Sequence, residues 1–143
     1  AVAFRAIHNG NQSLSSGDTI TTWQTSNALR CHATGGASIS SGVFTAPVTG
    51  VYVFHAQFLL SGATNTSSIH LVWKKNNTTF TYFNSRYNGN QIGYGGYVPI
   101  IGATTMHLDA NENCRIVISF GGTAPSVYGT DGNWGFWDGY LLG

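Results

Sequence analysis

Charged residues are scarce in this chain of 143 residues. Only 8% are charged, against about 25% in an ordinary soluble domain. The net charge is +1, and no run of Lys and Arg supplies the phosphate-neutralising surface that nucleic acid requires. No apolar run approaches the roughly 20 residues that cross a bilayer. The composition therefore predicts neither a nucleic-acid partner nor a membrane span.

Groups able to perform catalysis are also few. The chain has five acidic residues and five histidines, and the histidines are scattered singly without HExxH spacing. No Gly-x-Ser-x-Gly elbow or phosphate loop is present. Asp131 and Asp138 are the nearest candidate for a carboxylate pair, but glycosidase chemistry needs both carboxyl groups beside one bond. We predict a protein that is not an enzyme and that has no cofactor and no metal site.

There are only two cysteines, Cys31 and Cys114. Their separation lacks the clustered spacing of a zinc site, and it is compatible with one disulfide closing a long loop or with two free thiols. The chain begins without Met or a leader-like apolar segment, and it contains four N-glycosylation triplets, at Asn11, Asn65, Asn76 and Asn77. These features predict a mature secreted, extracellular protein.

Helical periodicity is missing, because Gly, Thr, Ser and Asn interrupt every window. Short strands and turns remain, and 143 residues suit one domain, 1–143. Strands are predicted near Val2 to His8, Thr19 to Gln24, Ala28 to His32, Gly50 to Leu60, Ser68 to Lys75, Thr79 to Tyr87, Thr104 to Leu108, Cys114 to Phe120 and Gly135 to Leu142. Some of these strands have one polar face and others do not, which indicates two unlike sheets. Many short strands in two such sheets predict an all-β jelly-roll β-sandwich.

The longest strand, Gly50 to Leu60, lacks the polar face that a half-solvated strand shows. Its even positions from Tyr52 to Leu60 are all apolar and suit a sandwich core. The odd positions mix aliphatic and polar side chains, as a packed subunit interface does. The candidate interface residues are Val51, Val53, His55 and Gln57. The alternative is that another sheet or loop of the same chain covers this face.

Three segments resemble one known family. They are Val2-Ala3-Phe4-Arg5-Ala6, Gly42-Val43-Phe44-Thr45-Ala46-Pro47-Val48-Thr49-Gly50-Val51-Tyr52-Val53-Phe54 and Trp137-Asp138-Gly139-Tyr140-Leu141-Leu142. With these segments the chain resembles the globular head domain of complement C1q, within the C1q/tumour-necrosis-factor-like superfamily. The resemblance implies a ten-stranded sandwich that forms a homotrimer through its inner sheet. It also implies that the strands of Cys31 and Cys114 are neighbours in the outer sheet, which favours a disulfide between them.

The chain departs from the family in two ways that affect its function. Many relatives hold calcium with acidic residues between strands five and six, but no Asp or Glu lies between Asp18 and Asp109 here. Because calcium needs several oxygen ligands, usually carboxylates, a family-type calcium site is not expected. The collagen stalk is also missing from the sequence, which places the chain beside the stalkless, lectin-like invertebrate members.

Two long connections are rich in aromatic and amide side chains, the groups that recognise sugars. The candidate carbohydrate-binding residues are Tyr128, Asp131, Asn133 and Trp134 in one connection, and Arg86, Tyr87, Asn88 and Tyr94 in the other. The alternative for Tyr128 and Trp134 is packing within the trimer or the sandwich. Trp137 is different, since the resemblance assigns it to the core.

These features together predict a secreted homotrimeric lectin-like protein. Its partners would be glycans or glycoproteins on microbial or cell surfaces, as in pattern recognition by innate immunity. For an acidic ligand, Arg86 or Arg115 would supply the charge-assisted hydrogen bond. The alternative function is an extracellular structural or receptor-ligand trimer that does not bind sugar.

Overall fold

The computed structural model describes residues 1–85 and 96–143 of the chain. This part forms fourteen strands, of which seven are only two or three residues long. The strands are β1 Ala3–His8, β2 Gln12–Ser13, β3 Asp18–Thr19, β4 Trp23–Gln24, β5 His32–Thr34, β6 Ser38–Ser40, β7 Val43–Thr45, β8 Gly50–Ser61, β9 Thr66–Lys75, β10 Thr78–Ser85, β11 Val98–Leu108, β12 Asn113–Gly122, β13 Ser126–Tyr128 and β14 Phe136–Leu141. No helix in these residues is long and apolar enough to cross a membrane.

The strands form two sheets, and every recorded strand pair is antiparallel. Sheet A has eight strands in the order β2-β13-β8-β14-β1-β4, with β11 also paired to β8 and β5 to β1. Sheet B has six strands in the order β10-β9-β12-β7-β6, with β3 also paired to β12. The two-sheet jelly roll confirms the predicted fold class, although the described residues form fourteen strands where the resemblance implied ten, because several strands are only two or three residues long.

β8 lies at the centre of sheet A, between β11 on one side and β13 and β14 on the other. Its even positions, Tyr52 to Leu60, are all buried, because successive side chains of a strand point to opposite faces. Its odd positions form the outer face of the sheet, where Val51 and His55 are exposed and Gln57 is half-buried. The described residues therefore do not cover this face fully.

Aromatic rings join the two sheets in the core. The ring of Phe54 from sheet A stacks on that of Trp73 from sheet B, with centroids 5.9 Å apart. Trp137 lies 6.1 Å from Phe54 and meets the ring of Phe4 edge-on at 5.4 Å. Trp137 is fully buried, which confirms its predicted place in the core. Gly139 is required beside this cluster, since a Cβ there would lie 2.4 Å from the ring of Phe4.

Most predicted strands are present, but the one expected at Ala28 to His32 is wrong. Residues 28–30 form a turn, and the strand β5 begins only at His32. Asn27 explains the difference, because its side-chain oxygen accepts hydrogen bonds from the backbone N–H groups of Leu29 and Arg30 at 3.0 and 3.1 Å. An Asn that bonds the backbone two residues on forms an Asx turn in place of a strand.

The expected disulfide between Cys31 and Cys114 is also wrong, because both cysteines are free. Cys31 directly precedes β5 of sheet A, and its thiol contacts the backbone oxygen of Gln24 at 3.3 Å. Cys114 lies on β12 of sheet B with its side chain in the core. The two residues are therefore not on neighbouring strands of one sheet.

The two thiols should differ in reactivity. Burial raises the pKa of the Cys114 thiol, so it forms little thiolate, whereas Cys31 is partly exposed. In a thiol-reagent titration of the non-reduced protein, we expect Cys31 to react in the native state and Cys114 only in denaturant. Cys31→Ser should remove the native reaction alone. A protein with no titratable thiol in denaturant would contradict the structure.

Candidate functional site

The loop of residues 129–135 connects β13 to β14 and carries three of the predicted sugar-binding residues. Backbone hydrogen bonds fasten it to the end of β1 and the residues that follow. The N–H of Gly132 donates to the oxygen of His8 at 3.1 Å, and the N–H of His8 donates to the oxygen of Gly135 at 2.9 Å. The N–H of Gly10 donates to the oxygen of Gly129 at 2.9 Å. These bonds hold the loop against the end of β1 and the residues that follow it.

Side chains add further attachments to this loop. Asn9 accepts a hydrogen bond from the N–H of Asp131 at 3.0 Å, and Asn11 accepts one from the N–H of Gly129 at 3.2 Å. Gly132 has a φ of +73° and lies directly over Ile7, whose Cγ2 would be 2.6 Å from an added Cβ. A larger residue at this position would lift the loop from the sheet.

Arg30 fixes the far side of the loop. One of its terminal guanidinium nitrogens donates to the backbone oxygen of Asp131 at 2.7 Å and to the side-chain oxygen of Asn133 at 2.8 Å. Nothing local in the sequence links Arg30 to Asn133, because the two residues are 103 positions apart. Arg30 is therefore a site residue that reasoning from the sequence missed.

Trp134 stands at the end of the loop with 52% of its surface exposed. It forms one wall of a cleft of about 480 Å³, whose floor comes from β8 and β11 of sheet A. The other lining residues are Gln57, Phe58, Leu59, Pro99, Ile100, Ile101 and Asn133. This cleft, called the Trp134 cleft below, combines an exposed indole plane with two amide side chains.

The remaining predicted residues take different positions. Tyr128 is half-buried on β13, and its ring meets that of Tyr97 edge-on with centroids 5.4 Å apart. Asp131 is exposed, and its recorded hydrogen bonds are made by its backbone. The four residues of the other connection, Arg86, Tyr87, Asn88 and Tyr94, lie outside the described residues.

A second cleft, of about 500 Å³, also borders the loop, at Gly132. It is called the Arg30 cleft below, and its lining residues are Arg5, Ile7, Leu29, Arg30, Cys31, His32 and Gly132. The two clefts share the 129–135 loop as a wall, since Gly132 lines one and Asn133 and Trp134 line the other. Within the described residues, no group of three or more His, Cys, Asp and Glu is placed to hold a metal ion.

Asp138 is held on the outer face of sheet A, away from the loop. Its carboxylate lies 3.6 Å from the guanidinium of Arg5 on the neighbouring strand. Burial raises the pKa of Asp138, while the charges of Arg5, His32 and His55 partly oppose this effect. The contact with Arg5 gives Asp138 a role in the sheet, where Arg5 also lies 4.2 Å above the ring of Phe136.

Comparisons with known proteins identify the fold. No protein-family model and no curated protein matches the chain. Among solved structures, the Eiger TNF of S. frugiperda is similar with a TM-score of 0.73 at 14% identity, over 99% of this chain and 92% of that chain. Murine APRIL has a TM-score of 0.67 at 15% identity, over 99% and 98% of the two chains. The globular domain of zebrafish complement 1qA protein also has a TM-score of 0.67, at 17% identity, over 100% and 98%.

These similarities show the fold, which is the C1q/TNF-like jelly roll that the resemblance in the sequence predicted. They agree with the two antiparallel sheets described above. The positions of the sugar-binding and interface residues stay predictions, as does the likeness to stalkless lectins.

His8 gives the stability of the folded chain a pH dependence. The imidazole is buried, its Nε2 lies 2.6 Å from the hydroxyl of Thr22, and burial lowers its pKa from 6.5 to about 4. The unfolded chain therefore takes up a proton between pH 6.5 and 4 that the folded chain does not. The stabilising contribution is complete above pH 6.5 and is lost as the pH falls toward 4, by at most about 1.4 kcal/mol per pH unit.

We expect the free energy of unfolding, measured by urea titration at several pH values, to fall between pH 6.5 and 4. His8→Leu should flatten this slope whatever its effect on stability at neutral pH. His107→Gln, at an exposed histidine, should keep the slope of the unmodified protein. Equal slopes for His8→Leu and the unmodified protein would contradict the assignment.

Proposed function

We propose that this protein is an extracellular, non-enzymatic homotrimer that binds glycans in the Trp134 cleft. The observation that carries the proposal is the exposed Trp134 indole above a cleft of about 480 Å³ that also contains Asn133 and Gln57. A sugar ring presents C–H groups to an aromatic plane and hydroxyl groups to amides. The cleft volume falls within the range of small-ligand sites, about 300–1,000 Å³.

The fastened loop supports this assignment. Each hydrogen bond that the loop makes with His8, Asn9 or Arg30 restricts it before a ligand arrives. A ligand that meets a rigid site loses less free energy in ordering side chains and backbone. Trp134 and Asn133 are therefore placed for recognition by contacts that do not involve the ligand. A trimer would present three such sites to one surface and gain avidity from them.

The part of the outer face of sheet A around Val51 and Tyr140 is the proposed subunit interface, with a second copy of the chain as its occupant. Two large apolar side chains are exposed there, with exposed fractions of 37% for Val51 and 43% for Tyr140. The Trp134 cleft lies toward the other end of β8, at Gln57 to Leu59, and is left open in this arrangement. Large exposed apolar patches are rare on monomeric proteins, and cyclic symmetry allows identical subunits to cover one another's patches. The C1q/TNF-like fold supports a trimeric domain of this type, and the similarity to Eiger TNF and complement 1qA agrees with it.

The proposed interface predicts that one negative charge introduced at Val51 dissociates the trimer. In the monomer, Val51→Glu places a carboxylate at an exposed position, where it changes the stability little. In the proposed trimer the same carboxylate would be buried without a partner, which strongly destabilises the assembly. By light scattering we expect the unmodified protein at three times the chain mass of 15.3 kDa and Val51→Glu near 15.3 kDa.

Phe80→Glu is the matched control, because Phe80 is 45% exposed on β10 of sheet B. It should remain trimeric. A Val51→Glu protein that keeps the trimer mass, or an unmodified protein that is monomeric at every concentration, would contradict the interface.

Sugar binding is tested on a glycan array with and without EDTA. We expect binding to a defined glycan class that survives EDTA, since the described residues supply no cluster of metal ligands. Trp134→Ala should weaken this binding about ten-fold or more, equivalent to ~1.4 kcal/mol, with the trimer mass unchanged. Trp134→Phe should retain part of the affinity because a smaller ring still stacks.

The control is Tyr82→Ala, which removes an aromatic side chain that is 58% exposed on β10 of sheet B. It should bind as the unmodified protein does. If no glycan binds, or if Trp134→Ala and Tyr82→Ala bind equally well, the sugar site is not in this cleft.

A second candidate function is a receptor-ligand or structural trimer without sugar binding. Phe80 and Tyr82 favour it, because both are exposed on β10, the edge strand of sheet B, and neither belongs to the proposed interface on sheet A. Exposed aromatic side chains are typical of protein-binding surfaces. A protein with no glycan ligand whose capture of a cell-surface receptor is lost in Phe80→Ala would favour this candidate.

A further inference from the structure

The Arg30 cleft concentrates positive charge in a chain that has little charge of either sign. It contains Arg5 and Arg30, which are two of the six Lys and Arg residues of the whole chain. None of its lining residues is acidic. Asp138 lies beside the cleft and faces Arg5, so it offsets one of the two guanidinium charges. The charge of Arg30 remains available to a ligand.

Arg30 is held in place without using all of its hydrogen-bond donors. The Asx turn at Asn27 fixes its backbone, and both recorded bonds to the 129–135 loop use the same terminal nitrogen. An arginine side chain has five N–H donors. The other donors of Arg30 have no recorded partner in residues 1–85 and 96–143, and the side chain is exposed. A guanidinium fixed in this way suits an oxyanion, which it can bind through two parallel bonds.

Apolar side chains complete the cleft. Leu29, which is 87% exposed, and Ile7, which is buried, both line it. Leu29 has no covering partner among the described residues, and its position beside a fixed cation combines apolar surface with charge. An acidic sugar has both properties, since its ring carries C–H faces and its substituent carries the anion.

We propose that the Arg30 cleft binds the carboxylate or sulfate group of an acidic saccharide. The cleft volume of about 500 Å³ suits one or two sugar rings. The net charge of +1 and the absence of a basic run argue against an extended polyanion, which needs many phosphate-neutralising contacts. The site is separate from the Trp134 cleft and does not rest on sugar binding there.

The test is calorimetric titration of the unmodified full chain with three monosaccharides: glucuronic acid, galactose 6-sulfate and galactose. We expect the two acidic sugars to bind at least ten-fold more tightly than galactose, and this difference to shrink as salt is added. The relative affinities of glucuronic acid and galactose 6-sulfate identify which anion the site prefers. Inorganic sulfate should compete but bind more weakly, because it makes no contact with Leu29.

Two variants locate the site. Arg30→Gln should reduce the affinity for the preferred acidic sugar about ten-fold or more. Because Arg30 also fastens the 129–135 loop, Leu29→Glu provides a second variant that removes none of the recorded hydrogen bonds and places a repelling carboxylate at the cleft. Leu29→Gln is its uncharged control, and Lys74→Gln removes a cation from sheet B. We expect Leu29→Glu to bind several-fold more weakly than Leu29→Gln, and Lys74→Gln to bind as the unmodified protein does.

Several results would overturn the proposal. Equal affinity for galactose and the acidic sugars would show that the anion is not recognised. Equal affinity of Leu29→Glu and Leu29→Gln would place the anion elsewhere. Inorganic sulfate binding as tightly as galactose 6-sulfate would remove the saccharide from the proposal. Trp134→Ala distinguishes the two sites, since it should weaken binding on the glycan array while leaving the acidic-sugar titration of the Arg30 cleft unchanged.

Discussion

The packing of Phe54 between the two sheets is the constraint on which the rest of the structure depends. Its ring contacts those of Trp73 in sheet B and Trp137 in sheet A, and it joins the aromatic core that crosses the sandwich. Because side chains alternate along a strand, placing Phe54 in the core places His55 outside. The same alternation along β8, β11 and β14 produces an outer face that is partly apolar and incompletely covered. The surface on which the proposed subunit interface lies therefore follows from the packing of the core.

The surface proposed for recognition depends on the same sheet through a different set of contacts. The 129–135 loop crosses the outer face of sheet A at Ile7 and is fastened by backbone hydrogen bonds with His8 and by hydrogen bonds with the side chains of Asn9 and Arg30. These contacts divide the surface into the Trp134 cleft, which is mostly apolar, and the Arg30 cleft, which is cationic. One rigid loop thus gives two neighbouring clefts different chemistry.

The sequence predicts most of the fold because the signals for long strands are local. The alternation from Tyr52 to Leu60 and the turn residues before it were sufficient for β8. The buried position of His8 was also predictable, since it shares the even positions of β1 with Phe4 and Ala6. The turn after Asn27 carried a visible signal as well, and overlooking it produced the incorrect strand at Ala28. The disulfide was expected from the family resemblance, and it is wrong because Cys31 directly precedes a strand of sheet A whereas Cys114 lies in sheet B. Asx turns and strands compete for the same short polar segments.

The clefts were not predictable from one sequence. Arg30 reaches Asn133 across 103 positions, and Ile101 and Trp134 meet only when β11 and the loop fold onto the same face. No local sequence pattern indicates such contacts, because these side chains are far apart in the sequence and meet only in the folded chain. The aromatic and amide residues of this connection did identify Asn133 and Trp134 as candidates. The side chains that line the clefts with them could be identified only from the structure.

We propose above all that the outer face of sheet A around Val51 and Tyr140 is covered by further copies of the chain. Hydroxyl-radical footprinting of the unmodified protein at increasing concentration tests this proposal, with oxidation measured at Val51, Tyr140 and Tyr82. We expect Val51 and Tyr140, on sheet A, to become protected as the protein assembles, while Tyr82 on sheet B stays equally reactive. Unchanged oxidation of the sheet A residues at every concentration, or protection at Tyr82 alone, would contradict it.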